Sequence, residues 1–224
     1  MAPSFSTVLA HDRLIREERR LHFYEKGETI PTVSQGVWRV SQGIVQLSTL
    51  YPNGEEGLLG WVGPSMCFSL WLSSLPSYQA KAVSDVYLMW YSTAEIENSP
   101  HLAKEMLPQL TRRLRQVEAM LAIAGYRRVE ERLRQLLLLL QEEMGQTVSE
   151  GTRIMVRLTH QDIANAINTS RVTVTRLLGK LKEKGFITFD DKRHLIVRHG
   201  QLSLCAESSD FDPSDFDPLE SNVS

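Results

Sequence analysis

The most specific chemistry in the chain lies in the hexapeptide RVTVTR, where Arg171, Val172, Thr173, Thr175 and Arg176 fall on one side of a helical pattern. Val174, Leu177, Leu178 and Leu181 occupy the other side at spacings of three and four, which gives the helix a face to bury and a face to present. A guanidinium offers paired donors that match O6 and N7 of guanine in the DNA major groove, and a valine or threonine methyl can meet the thymine methyl. Arg171 and Arg176 are therefore read as base contacts, with Val172 and Thr173 beside them. Thr159, Gln161, Thr175 and Lys180 are better suited to phosphates, which position a protein without reporting sequence. The competing reading is a packing hairpin whose basic face is only solvated.

Such a face needs a frame, and the flanking residues supply one. Thr159 with Asp162 three residues later reads as a helix cap, with Leu158 and Ile163 as the hydrophobic staple around it. Ile163, Ala164 and Ile167 form the apolar side of that first helix, and Asn168-Thr169-Ser170 interrupts the pattern with turn and cap residues. The second helix ends at Gly185, a residue suited to a left-handed C-terminal position. The unit 159–184 is thus a helix-turn-helix. FITFDDKRHLIV, from Phe186 to Val197, reads as strand, polar turn and strand, a wing beside it. Upstream, Arg127–Met144 predicts a helix ending at Gly145, with Val129, Leu133, Leu136, Leu137 and Leu140 packing beneath the hairpin. Residues 146–153 are expected to be a polar loop, and Ile154–Leu158 a short strand.

SRVTVTRLLGKLKEKGFI resembles the recognition helix of the cyclic-AMP receptor protein/fumarate-nitrate regulator (Crp/Fnr) superfamily, and RVTVTRLLG is most similar to its cyanobacterial nitrogen and sulfur regulators. The resemblance implies a homodimeric transcription regulator, an activator that contacts RNA polymerase, reading an inverted repeat that begins GTA and ends TAC. It implies an α+β chain: an N-terminal antiparallel β-roll of jelly-roll type, a long dimerisation helix and a C-terminal winged helix-turn-helix. The expected divisions are 1–93 for the roll, 94–125 for the helix region, 126–200 for the DNA-binding domain and 201–224 for an acidic tail.

The roll is expected from short strand-type runs between turns at Gly27, Gly36, Gly43, Gly60 and Gly63-Pro64. Asn53-Gly54 is the strongest hairpin signal, since both residues tolerate positive φ. YEKGETI and GIVQLSTLYPNGEEGLLGWVGP resemble the superfamily's effector domain. Its nucleotide-binding members carry a carboxylate for the ribose and an arginine for the phosphate. By order, Phe68-Ser69-Leu70 and Tyr78-Gln79 stand in those places, so cyclic AMP is not the expected effector. The resemblance makes 2-oxoglutarate a candidate. That dianion needs cations, for which Arg39, Lys81 and the arginines of the long helix are the obvious sources.

Ser99-Pro100 predicts a capped helix start, and Pro108 a restart or kink. Leu107, Leu110, Leu114, Val117, Leu121 and Ala124 then alternate three and four apart, a heptad seam, with Arg112, Arg113, Arg115 and Glu118 outside it. The seam suits a two-fold dimer interface, as a palindromic site requires; the alternative is a stripe that packs only on the roll.

The net charge of −2 conceals a segregation. Residues 153–200 hold ten Lys/Arg against four Asp/Glu, whereas residues 201–224 hold six Asp/Glu and no Lys/Arg. A basic segment enclosing the reading helix is the electrostatic footprint of phosphate attraction. The tail repeats SDFDP and has little from which to build a core; it is read as disordered, or as an acidic lure for the basic domain. Cys67 and Cys205 form no C-x-x-C pair, which suits a reducing, cytoplasmic setting without a structural metal, and Cys67 is expected to be a buried small hydrophobe rather than a redox switch. No secretory signal or membrane span is read in the chain. A cupin-like metalloenzyme would need clustered histidine and carboxylate ligands, yet His11 and His22 are the only histidines before His101. No nucleophile–base pair or glycine-rich phosphate loop appears either, so no catalytic function and no cofactor are expected. A ligand- or protein-binding module that never touches DNA is the remaining rival.

Overall fold

The computed structural model describes residues 21–198; the acidic tail, Cys205 and His11 lie outside the described residues. The first half consists of β1 (Leu21–Tyr24), β2 (Thr29–Ile30), β3 (Gly36–Gln42), β4 (Val45–Leu50), β5 (Glu56–Val62), β6 (Cys67–Phe68), β7 (Tyr78–Ala82) and β8 (Val86–Ser92). They form two antiparallel sheets of order β1-β8-β3-β6 and β2-β7-β4-β5. The inward residues of both sheets meet in one core that includes Trp38, Val40, Leu47, Val62, Phe68 and Leu88. Alternation explains the choice of face: Trp38 and Val40 enter that core, while Val37 joins Cys67, Tyr91 and Met106 on the other side of the sheet. The β4–β5 connection turns at Tyr51-Pro52-Asn53-Gly54, where Gly54 has φ 84°. Only glycine takes the positive φ there; Asn53 does not, because Pro52 sets an ordinary turn and leaves the left-handed position to the fourth residue.

Helix α1 (Thr93–Glu97) is capped by Ser92 and Glu95, and α2 (Pro100–Gly125) by Ser99 with proline at its first turn. The helix α2 runs unbroken through Pro108, so the expected restart does not occur. Its 26 residues span about 39 Å. Met106, Gln116 and Ile123 are buried against the rest of the chain, whereas Leu107, Leu114, Val117 and Leu121 point away and are exposed.

The second half holds α3 (Val129–Met144), β9 (Gly145–Val148), β10 (Gly151–Ile154), α4 (His160–Ala166), α5 (Arg171–Glu183), β11 (Ile187–Phe189) and β12 (Leu195–Arg198). Residues 146–153 are a β-hairpin rather than a loop, and of the strand expected at Ile154–Leu158 only Ile154 belongs to one. The polar composition misled because β9 is a largely exposed edge strand, and a reversal at Gly151 (φ 156°) starts β10 earlier. The third sheet has the order β11-β12-β10-β9 and is antiparallel throughout. Leu133, Leu136, Leu137 and Leu140 of α3 pack with Ile163, Val174, Leu177 and Leu178. The same cluster includes Ile44 and Trp61 from the roll, so an apolar continuum runs from the β4–β5 sheet to the helix-turn-helix. Among the described residues no helix is long and apolar enough to cross a membrane.

Candidate nucleic-acid interface

Local chemistry builds the reading head. The Thr159 hydroxyl accepts from Asp162 N at 3.1 Å, and Asp162 Oδ2 accepts from Thr159 N at 2.7 Å, closing a capping box at the start of α4. Thr169 N donates to Ala164 O at 3.0 Å, and Asn168 takes φ 52°, a conformation asparagine tolerates better than most residues. Ser170 then caps α5 by accepting from Thr173 N at 3.1 Å. At the far end Gly185 has φ 75° while Phe186 N donates to Leu181 O at 2.9 Å, a Schellman-type stop. Val174, Leu177, Leu178 and Leu181 are buried beneath the helix, which fixes its opposite face outward.

That face carries Arg171, Val172, Thr175 and Arg176, all exposed; Thr173 and Lys180 are half-buried. Val172 is 78% exposed near the N-terminal end of that face. Thr159 and Gln161 are exposed on α4, beside the same surface. Several of these polar groups have internal partners. The Thr159 hydroxyl donates to Asp162 Oδ2 at 2.7 Å, Gln161 Nε2 donates to Asn165 Oδ1 at 2.7 Å, and the Thr175 hydroxyl donates to Arg171 O at 2.9 Å.

One participant escaped sequence reasoning. His160 places Nδ1 2.8 Å from Thr175 Oγ1, so the histidine braces the two helices α4 and α5. Nothing at the sequence level signals this, since the partners are fifteen residues apart.

The wing forms as expected, β11 pairing with β12 around a turn at Asp190–His194. Arg153 of β10 reaches that turn. Its Nε donates to Asp190 Oδ2 at 2.8 Å and its Nη2 lies 2.7 Å from His194 Nδ1, while His194 N donates to Asp190 Oδ1 at 2.7 Å and His194 Nδ1 lies 3.1 Å from Asp190 Oδ2. Desolvation pulls the Asp190 carboxyl upward, but the donors of His194 and Arg153 outweigh it and hold the group below its ordinary range.

In the first half, Ser69 is buried; its hydroxyl donates to Gly36 O and accepts from Trp71 N at 2.9 Å. Tyr78, largely desolvated, has its phenol pushed up to about 12 despite the opposing field of Arg113. Consecutive arginines of α2 diverge. Arg112 donates through Nε to Glu143 Oε2 and through Nη2 to Glu143 O, both at 3.1 Å, tying α2 to α3. Arg113 turns into the roll, where it donates to Leu59 O at 2.9 Å and to Gln116 Oε1. Gly60 leaves room for it: a Cβ there would lie 2.6 Å from Arg113 Nη1. Burial lowers the Arg113 pKa, against the favourable fields of Tyr78 and Glu143. Of the other anticipated cations, Arg39 shares the sheet face of Val37 and Cys67, and Lys81 is exposed. Cys67 is buried, its thiol donating to Gln109 Oε1 at 2.8 Å and pushed up to about 12 by desolvation.

An antiparallel roll, a long helix and a winged helix-turn-helix in this order form the architecture of a DNA-binding transcription regulator. The Crp-like helix-turn-helix domain model matches residues 131–203. The global nitrogen regulator of Synechococcus elongatus is 35% identical over 194 residues, covering 80% of this chain and 86% of that protein. The regulatory protein CysR of the same organism is 35% identical over 173 residues, covering 76% of this chain and 80% of that one. A CRP-family transcriptional regulator of Thermus thermophilus shares the fold with a TM-score of 0.70 at 22% identity, covering 84% of this chain and 97% of that one. The chain belongs to the Crp/Fnr family of transcription regulators, near the cyanobacterial nitrogen and sulfur regulators.

Proposed function

We propose that the chain is a homodimeric, sequence-specific activator of nutrient-responsive promoters, working in the cytoplasm and contacting RNA polymerase. The carrying observation is the outward face of α5, where Arg171 and Arg176 flank exposed Val172. In this reading the arginines take guanines of a GTA…TAC palindrome, Val172 and Thr173 meet thymine methyls, and Thr159, Gln161, Thr175 and Lys180 serve phosphates. The relatives near which the chain falls include a global nitrogen regulator and CysR, which supports a nitrogen or sulfur regulon. The working divisions are 1–93, 94–125, 126–200 and 201–224.

Dimerisation is assigned to Leu107, Leu110, Leu114, Val117, Leu121 and Ala124. Leu107, Leu114 and Leu121 are 64%, 59% and 74% exposed, an apolar stripe along a helix whose other side is already packed. A second copy would cover the stripe and set two reading helices about one turn of DNA apart.

For the effector, Arg113 is the cation best placed to hold a dianion such as 2-oxoglutarate at the junction of roll and helix. Cyclic AMP is not the effector in this reading, because Ser69 and Tyr78 stand where a carboxylate and an arginine would be needed. Gel-shift titration on a GTA…TAC duplex, with and without millimolar 2-oxoglutarate and with cyclic AMP as control, tests the reading. Tighter binding with the keto acid alone is expected. Equal affinity for that duplex and a scrambled one would overturn the DNA assignment, and an affinity indifferent to the keto acid would overturn the effector.

A further inference from the structure

The turn between β11 and β12 is held from outside its own hairpin. Arg153 stands on β10, pairs with Ile196 of β12, and sends its guanidinium across to Asp190 and His194 at the two ends of the turn. The three side chains are only 25%, 24% and 17% exposed. Nη2 of Arg153 lies 2.7 Å from His194 Nδ1, and a guanidinium can only donate. The same Nδ1 lies 3.1 and 3.3 Å from the two carboxylate oxygens of Asp190, so the three side chains meet at one point. Asp190 receives both the Arg153 Nε–H and the His194 backbone N–H, one on each oxygen.

Between those two ends stand Asp191, Lys192 and Arg193, all exposed. Without Arg153 the turn would carry two acids and two bases. Pairing Asp190 with Arg153 neutralises one acid and leaves the tip cationic. Arg193 holds φ 61°, a conformation glycine would adopt with less strain. Arg193 borders a small cleft together with Leu158, His160 and Phe189. His160 is in turn bonded to Thr175 on the presented face of α5. The wing tip and the reading helix are thus brought to one side of the domain through Arg193, His160 and Thr175.

We infer that Arg153 is a positioning residue that clasps the wing turn through Asp190 and His194, and so places Lys192 and Arg193 on DNA phosphates outside the segment read by α5. The inference rests on the DNA-reading role proposed above and adds a second contact to it. A phosphate contact releases condensed counterions, so each one steepens the dependence of affinity on salt by roughly 0.9 in log–log slope. Base discrimination by α5 is a separate quantity. The two therefore report separately on wing and helix.

The test measures salt slopes on the palindromic duplex and on a guanine-substituted one. Replacing Lys192 and Arg193 together by alanine should flatten the slope by about 1.8 while the preference for the guanine is kept. Asp190→Ala is the sharper variant. It deletes a negative charge near DNA, which electrostatics alone would turn into tighter binding, whereas loss of the clasp should weaken binding and flatten the slope. Arg153→Ala should flatten it comparably, and Arg153→Ala added to the Lys192/Arg193 pair should flatten it no further. Thermal unfolding of each variant checks its fold, and Asp190→Asn, which keeps an acceptor for Arg153, should show a smaller shift in the same direction if Asp190→Ala fails to fold. An unchanged slope in the Lys192/Arg193 variant would remove the wing from the interface. A flattened slope there, with tighter binding and no flattening by Asp190→Ala or Asp190→Asn, would leave the wing contact but refute the clasp. Loss of guanine preference in the unmodified protein would instead refute the underlying DNA assignment.

Discussion

Leu121 offers the cleanest perturbation of the dimer proposal. It is 74% exposed in the single chain, on the side of α2 opposite the buried Met106, Gln116 and Ile123. Burying a whole leucine side chain stabilises by about 1.5–3 kcal/mol, so covering the exposed part is worth roughly 1.5 kcal/mol. A two-fold axis brings the same residue in twice, which makes Leu121→Ala cost roughly 3 kcal/mol of association. That is about a hundredfold in the dimer dissociation constant. Alanine is at least as good a helix former as leucine, so α2 itself should survive. Sedimentation equilibrium over a wide concentration range gives the constant directly, with Arg115→Ala, off the seam, as control. Leu114→Glu should be harsher still, because two carboxylates would be desolvated against each other. A change below about threefold for Leu121→Ala would mean that the seam faces something other than a second copy.

Other expectations follow from single groups. Thr159→Ala removes the acceptor of a capping box and should lower stability by about 1 kcal/mol, read as a shift in the urea midpoint at unchanged m-value. The Cys67 thiol, pushed up to about 12, should resist iodoacetamide at pH 8 in the native protein, as followed by mass mapping of its peptide. Because its folded value lies above the unfolded one, its stabilising share is complete below about pH 8.5 and is lost as pH rises toward 12. Rapid labelling at pH 8 would contradict the burial. Arg113→Ala should abolish any response of DNA affinity to 2-oxoglutarate while sparing affinity without it, and a full response in that variant would place the acid elsewhere.

The helix-turn-helix was legible because its determinants are local. Thr159 and Asp162 are three residues apart, Ser170 caps its own helix, and Gly185 stops it, so each signal reads without knowing the rest of the chain. The stripe from Leu107 to Ala124 was legible for the same reason, as helical spacing along one element. The hairpin at 145–154 was not, because an exposed strand of Gln and Thr carries no apolar alternation. Nor could spacing show that Arg112 ties α2 to α3 while Arg113 enters the roll, although adjacent positions on a helix must diverge by about 100°. The wing clasp joins residues 37 and 41 positions apart, and His160 meets Thr175 across a turn. Such pairs belong to tertiary packing and become visible only when the sheets and helices are assembled.

The central claim is that α5 reads bases through Arg176 and holds phosphates through Lys180. A competition titration tests it most directly: unmodified protein, Arg176→Ala and Lys180→Ala, each against the GTA…TAC duplex, the same duplex with its guanine replaced, and a random duplex, at two salt concentrations. Arg176→Ala should lose about 1–3 kcal/mol of preference for the guanine, bringing the three duplexes together. Lys180→Ala should weaken all three alike and flatten the salt dependence by about one phosphate contact. If Arg176→Ala keeps its full preference for the guanine, the face assigned to DNA is the wrong one.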